Sequence, residues 1–94
     1  MKYAESITRY RFTYPKTGEV RLMDLIDSRY ECGILIITMD TLGEVIDGLL
    51  QCERAGCSAS VTYSKDPDVP KYEFAAFVDQ IADLQIEILS ESRF

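Results

Sequence analysis

Residues 33–56 read GILIITMDTLGEVIDGLLQCERAG, and the periodicity of this stretch changes part of the way along. The run from Gly33 to Met39 is dominated by apolar, β-branched residues, which is typical of a strand covered on both faces. From Thr41 onward the apolar residues recur every three or four positions, which is typical of an amphipathic helix. The stretch therefore predicts a central strand followed directly by a helix.

The sequence also marks both ends of this helix. Thr41 and Glu44 match a capping box, in which the Thr hydroxyl accepts a hydrogen bond from the Glu44 N–H. Arg54 suits the last turn, and Gly56 supplies the left-handed residue that ends many helices. The side chains expected to face the core are Leu42, Val45, Ile46, Leu49 and Leu50. Glu53 projects from the same side, and we expect its carboxylate to escape past the core edge, with a buried functional carboxylate as the alternative.

The N-terminal residues predict an antiparallel hairpin. Thr8 to Tyr14 alternates with a period of two, Pro15 to Gly18 has the composition of a turn, and Val20 to Ile26 fits a returning strand. The alternation sends the aromatic side chains of the first strand inward and sends Arg9 and Arg11 outward. Sheets that bind single-stranded nucleic acid combine arginine and aromatic residues on one platform. Here the two kinds lie on opposite faces, which argues against nucleic acid as a partner.

The C-terminal third predicts a strand, a helix and a final strand. Residues 58–64 alternate, with three inward side chains, Ala59, Val61 and Tyr63. The polar stretch 64–70, which contains Asp66 and Asp68, predicts a loop. A second helix is expected to begin at Pro70 and to bury a stripe made of Phe74, Phe77, Val78 and Ile81. The last strand is predicted by alternating apolar residues, Leu84, Ile86 and Ile88.

Together these elements predict one α+β domain over residues 1–94, with two layers and the order β-β-β-α-β-α-β. It would combine the N-terminal hairpin, the central apolar strand and two amphipathic helices. Helices that link parallel neighbouring strands would form right-handed crossovers. Because the central strand is apolar on both faces, either helices cover both faces or a second copy of the chain covers one. The sequence thus raises the hypothesis of a homodimer formed through a sheet face.

Composition excludes several classes of protein. The chain has 94 residues, of which 47% are hydrophobic and 28% charged, so it is neither disordered nor of low complexity. It contains no His, which removes the usual general base and a common zinc ligand. The net charge is −6, with five basic and two acidic residues before position 22 and five basic and fourteen acidic residues after it. The acidic body is expected to repel nucleic acid and anionic membranes and to attract basic surfaces.

The cysteines and the N-terminus predict a cytosolic location. Cys32, Cys52 and Cys57 are odd in number, and the first residues contain no apolar signal-peptide segment. The longest apolar run, Gly33 to Ile37, is far shorter than the roughly 20 residues of a membrane span. Three cysteines without histidine do not complete a tetrahedral zinc site. We therefore expect reduced structural thiols, no metal site and no membrane association.

The strongest functional feature is a row of acidic residues on the predicted first helix. The row consists of Asp40, Glu44, Asp47 and Gln51 and lies within a narrow arc of the helix. A solvated helix face is the simpler interpretation; a docking surface for a basic protein partner is the functional one. The sequence contains no P-loop, G-x-S-x-G or G-x-G-x-x-G motif, and it predicts no catalytic, cofactor-binding or metal-binding residues.

These observations favour a small, acidic, cytosolic and non-enzymatic protein that acts by binding another protein. An inhibitor, an immunity-type factor and an adaptor or regulatory factor all fit this description. The alternative is a dimeric regulatory domain that senses a small ligand. Different experiments test the two hypotheses. A bound small ligand raises thermal stability, whereas the association rate of a protein partner depends on charge and salt.

Overall fold

The computed structural model describes residues 5–64 and 71–94. Strands account for 56% of these residues, and the only α-helix among them has 14 residues. The elements are β1 (Ser6–Tyr14), β2 (Glu19–Ile26), β3 (Arg29–Glu31), β4 (Ile34–Met39), α1 (Leu42–Ala55), β5 (Ala59–Ser64), β6 (Lys71–Ala76) and β7 (Gln85–Arg93). A 3₁₀ turn, Val78–Gln80, lies between β6 and β7.

The strands form two antiparallel sheets, so the predicted architecture is wrong. One sheet has the order β2-β1-β7 and the other has the order β3-β4-β6-β5. The element order in the described residues is β-β-β-β-α-β-β-β, with one helix in place of the two expected. Every strand pair is antiparallel, so the right-handed crossovers expected between parallel strands do not occur among them.

Residues 71–76 form strand β6 where a second helix was predicted. The strand lies between β4 and β5, with Phe74 opposite both Ile37 and Val61. A helical stripe of only a few apolar residues can arise by chance. Backbone hydrogen bonds along both edges of β6 therefore decide the conformation of this segment. The predicted helix start, Pro70, and the loop carboxylates Asp66 and Asp68 lie outside the described residues.

The N-terminal hairpin and the last strand are confirmed. β1 pairs with β2 through the turn that contains Gly18, whose φ is +74°, and it pairs with β7 on its other edge. The rings of Tyr10 and Phe12 are buried with their centroids 5.9 Å apart. Arg9 and Arg11 are exposed on the opposite face, as the alternation predicts.

The core lies where the two sheets and α1 meet. Its buried apolar residues are Tyr10, Phe12, Leu35, Met39, Val45, Cys52, Phe74, Ala76 and Val78. β4 is confirmed as an interior strand and buries Leu35 and Met39 on the core side. On its other face Ile34 and Ile36 are only half-buried.

The caps of α1 are confirmed, but the side of the helix that packs is not the one predicted. The Thr41 hydroxyl accepts from the Glu44 N–H at 3.1 Å, and Gly56 ends the helix with a φ of +89°. Of the five residues expected in the core only Val45 is buried; the other four are 42–58% exposed, namely Leu42, Ile46, Leu49 and Leu50. Glu53 is exposed as expected, and it lies on this same unpacked side.

The helix is turned by about a quarter turn, at 100° per residue, because its small residues allow the closest approach to the sheet. Val45, Gly48 and Cys52 face β4 and β6. A Cβ atom at Gly48 would lie 3.0 Å from the Phe74 ring, so a larger residue there would push the helix outward. The small side of α1, and not its leucine-rich side, therefore forms the contact with the sheet.

Candidate functional site

An open cleft of about 410 Å³ separates α1 from the hairpin. Its floor is the core-facing side of β4 and β6, including Leu35, Ile37 and Phe74. Its opposite wall is the core-facing side of β1 and β2, including Phe12 and Met23. Apolar side chains from four strands therefore line a concave surface, in which Met23 and Ile37 are half-buried whereas Phe12, Leu35 and Phe74 belong to the buried core.

Every charged residue that lines the cleft is acidic. These residues are Asp24, Asp40, Glu44 and Asp47. Glu44, Asp47 and Gln51 lie along the flank of α1 that faces the hairpin, whereas Asp40 lies just before the N-cap Thr41 and not on the helix as predicted; all four side chains of this acidic flank are exposed. The cleft therefore combines an apolar floor with a negatively charged rim.

Asp24 lies opposite Arg9 in the β1–β2 pairing, so its carboxylate stands with that arginine on the outer face of the hairpin. Arg9 donates to it from Nε at 2.8 Å and from Nη2 at 3.0 Å, and this hydrogen bonding holds the pKa of Asp24 below its usual value. Both side chains are exposed, so solvent screens the pair. The negative charge of the cleft rim therefore comes from Asp40, Glu44 and Asp47.

Cys52 and Cys57 lie together at the C-terminal end of α1, and both line the cleft. The chain turns back at this point, and the Cys57 N–H donates to the Cys52 carbonyl at 2.9 Å. Burial, followed by a hydrogen bond with the Cys57 side chain, raises the pKa of Cys52 to about 12. Because the thiolate is the nucleophilic form, Cys52 is protonated and unreactive at neutral pH.

The three thiols are expected to react with iodoacetamide in the order Cys32, Cys57, Cys52, since Cys32 is exposed, Cys57 half-buried and Cys52 buried. Mass spectrometry of peptides taken over time at mildly alkaline pH measures this order. Faster labelling of Cys52 than of Cys32 would contradict the packing of α1.

The raised pKa of Cys52 also predicts how the stability of the fold depends on pH. The folded state holds this proton more tightly than the unfolded chain, so the contribution of Cys52 to stability should be fully present below pH 9 and should be lost between pH 9 and 12.

A second depression continues the cleft toward the hairpin turn, and its charged side chains are mostly basic, whereas those of the cleft are acidic. It is lined by Lys16, Arg21 and Arg54, and it shares Gln51 and Met23 with the cleft. Arg21 also donates from Nε to its neighbour Glu19 at 2.6 Å. The groove between α1 and the hairpin is therefore acidic near the start of the helix and basic near its end.

The structure brings the four residues of the predicted acidic row together at one cleft. Asp40, Glu44, Asp47 and Gln51 all line this cleft, and their side chains are also exposed, as the interpretation of a solvated face expects. Sequence reasoning missed the apolar floor, because it assigned the leucine-rich side of α1 to the core. The signal that was available is the spacing of small residues at positions 45, 48, 52 and 55, which marks the side of closest approach.

The carboxylates of the acidic flank are exposed and follow one another along the helix, and the one thiol with a shifted pKa is held in its unreactive form. Among residues 5–64 and 71–94 no group of three or more His, Cys, Asp or Glu side chains could hold a metal ion. No helix in this part of the chain is both long and apolar enough to cross a membrane.

Comparison with known proteins gives no further assignment. No family model, no curated protein and no solved structure matches the chain. The function is therefore argued from the cleft itself.

Proposed function

We propose that the protein acts by binding a segment of another protein in the cleft between α1 and β2. The observation that carries this proposal is the coincidence of an open apolar floor with a rim on which every charged side chain is acidic. The segment that fits has apolar side chains for the floor and basic side chains for Asp40, Glu44 and Asp47. Such a protein works as an inhibitor, an immunity-type factor or an adaptor, without catalysing a reaction.

Charge and apolar contact have separate roles in this proposal. The acidic flank, on a chain of net charge −6, attracts a basic surface over a Debye length of about 8–10 Å and raises the rate of encounter. The apolar floor then supplies the contact that holds the segment, since burial of apolar side chains contributes most of the binding free energy. Because the groove becomes basic toward the hairpin turn, the best segment places its basic residues beside the start of α1.

A small cationic ligand with an apolar body is the second candidate for the same cleft. The volume of about 410 Å³ lies within the roughly 300–1,000 Å³ of small-molecule sites. This candidate corresponds to a ligand-sensing regulatory domain. A ligand present at about a hundred times its Kd would add about 2.7 kcal/mol to the free energy of unfolding, which a thermal-shift screen detects.

The remaining expectations about partners and location stay predictions of the sequence. They are a cytosolic location, no association with membranes or nucleic acid, and a homodimer formed through a sheet face. The acidic rim supports the prediction on nucleic acid, because it repels phosphate groups.

Three synthetic peptides of equal length test the proposal. One alternates Leu with Lys, the second alternates Leu with Glu, and the third alternates Ser with Lys. Calorimetry should detect binding of the first peptide alone. Only that peptide has both apolar side chains for the floor and basic side chains for the acidic rim. Equal binding of the Ser–Lys peptide would show that the apolar floor is not used, and no binding of the Leu–Lys peptide would exclude the proposed segment.

A further inference from the structure

The side of α1 that carries most of its large apolar residues is the side that the chain does not bury. We call Leu42, Ile46, Leu49 and Leu50 the apolar ridge. At 100° per residue the ridge lies about 110° from the sheet-facing side of α1, in the direction opposite to the acidic flank. Since the acidic flank faces β2 and β4, the ridge faces the other side of the helix, toward β5.

β5 continues this apolar surface at the edge of the sheet. Val61 and Tyr63 stand on the face that bears α1, because they lie opposite Phe74 and Tyr72 in the pairing with β6. The rings of Tyr63 and Tyr72 pack with centroids 4.9 Å apart, which fixes Tyr63 on this face. Val61 and Tyr63 are nevertheless 39% and 49% exposed. The ridge and β5 thus form one apolar surface on the helix-bearing side.

β5 also differs from the other three strands at the sheet edges. Edge strands that must not pair with other chains usually carry charged residues or proline. The other edges follow this rule, with Glu19, Arg21 and Asp24 in β2, Arg29 and Glu31 in β3, and Glu87, Glu91 and Arg93 in β7. β5 reads ASVTYS and has neither charge nor proline, and its outer edge pairs with no strand in the part of the chain that the structure describes.

We infer that two copies of the chain associate through the outer edge of β5 and the apolar ridge of α1. A two-fold axis near Thr62 makes the two β5 strands antiparallel and places Val61 of one copy opposite Tyr63 of the other. The axis is perpendicular to the sheet, so both helices lie on the same face of a continuous eight-stranded sheet. The apolar ridges then face each other across the axis.

The spacing and the area suit this arrangement. The two β6 strands, which α1 contacts most, would lie about 14 Å apart, at three strand spacings of about 4.8 Å. The apolar ridges of the two helices fill the space between them. Val61 and Tyr63 of both copies fill it from the side of the sheet. These six side chains present about 570 Å² per copy, if a fully exposed large side chain presents about 200 Å². This is more than half of the roughly 800 Å² per partner in a standard interface.

Charge selects a second copy as the occupant. A partner attracted by this acidic chain would be basic, and the β5 strand offers it no carboxylate. A second copy carries the same net charge of −6, so it approaches best where charged residues are few, and Glu53 is the single carboxylate on the ridge side of α1. The arrangement also accounts for the apolar pattern of α1, since the leucine-rich side becomes buried in the dimer.

Light scattering with the full chain tests this inference through two variants and one control. At high micromolar concentration the unchanged chain should have twice the 10.7 kDa monomer mass. Leu49→Glu and Thr62→Lys should both give the monomer mass, because each places two like charges near the axis. Leu22→Glu is the control, since Leu22 is 62% exposed on the sheet that the interface does not use, and this variant should remain dimeric.

Hydrogen exchange provides a readout that does not depend on any variant. The amides of residues 59–64 should become more protected as concentration rises, whereas the edge strand β2 should not change. A monomer at all concentrations overturns the inference. It is also overturned if both interface variants remain dimeric, or if Leu22→Glu alone dissociates, since the interface would then lie on the face of the three-stranded sheet.

Discussion

Replacing Phe74 with alanine is expected to lower the free energy of unfolding by about 3–5 kcal/mol, the largest stability effect we predict for a single substitution. Phe74 is 2% exposed and lies on the middle strand pair of its sheet, directly beneath Gly48 of α1. Removing the ring leaves a cavity that the close contact between the helix and the sheet cannot fill. A domain of this size has a total stability of about 5–10 kcal/mol, so the variant should lose from about a third to all of it.

Chemical denaturation followed by circular dichroism measures this loss. Phe74→Leu should lose less than Phe74→Ala, because it retains most of the side-chain volume. Leu22→Ala provides the control for an exposed apolar residue, and it should change stability by no more than about 0.5 kcal/mol. If Phe74→Ala were as stable as Leu22→Ala, the packing of α1 on β6 described above would be wrong.

Neutralising the acidic flank is expected to slow association with the Leu–Lys peptide by about tenfold at low salt. The variant combines Asp40→Asn, Glu44→Gln and Asp47→Asn, which keep the size of each side chain and remove its charge. Because these residues act mainly on encounter, the dissociation rate should change less than the association rate. The dependence of the association rate on salt should become correspondingly flatter.

A variant with the same change in net charge separates the cleft from the overall charge of the chain. Glu53→Gln, Asp79→Asn and Asp83→Asn remove three exposed carboxylates that do not line the cleft. Stopped-flow fluorescence should give this control an association rate close to that of the unchanged chain. Equal slowing in the two triple variants would attribute binding to net charge and would remove the acidic flank from the proposal.

The parts of the fold that depend on neighbouring residues could be predicted from the sequence. The hairpin follows from strict alternation and from a turn that contains Pro15 and Gly18, and both ends of α1 follow from Thr41 and Gly56. The position of Glu44 and Asp47 on one flank follows from helix geometry alone, whereas Asp40 lies before the helix. Each of these features is determined within a few residues of the chain.

The parts that depend on distant residues could not be predicted in the same way. β6 becomes a strand because β4 and β5 flank it, and Phe74 lies opposite Ile37, far away in the sequence. The side of α1 that packs depends on whether Gly48 can approach the Phe74 ring, which the periodicity of the large apolar residues does not reveal. The cleft combines residues of four strands and one helix, so only its acidic rim was visible in the sequence.

The native cysteines offer the most direct test that a partner segment occupies the cleft. Cys57 lines the cleft and Cys32 does not, so one thiol reports on the site and the other serves as an internal control. With saturating Leu–Lys peptide, alkylation of Cys57 should slow several-fold while alkylation of Cys32 is unchanged. If the peptide binds and the labelling rate of Cys57 stays the same, the segment lies elsewhere on the protein and the cleft is not its binding site.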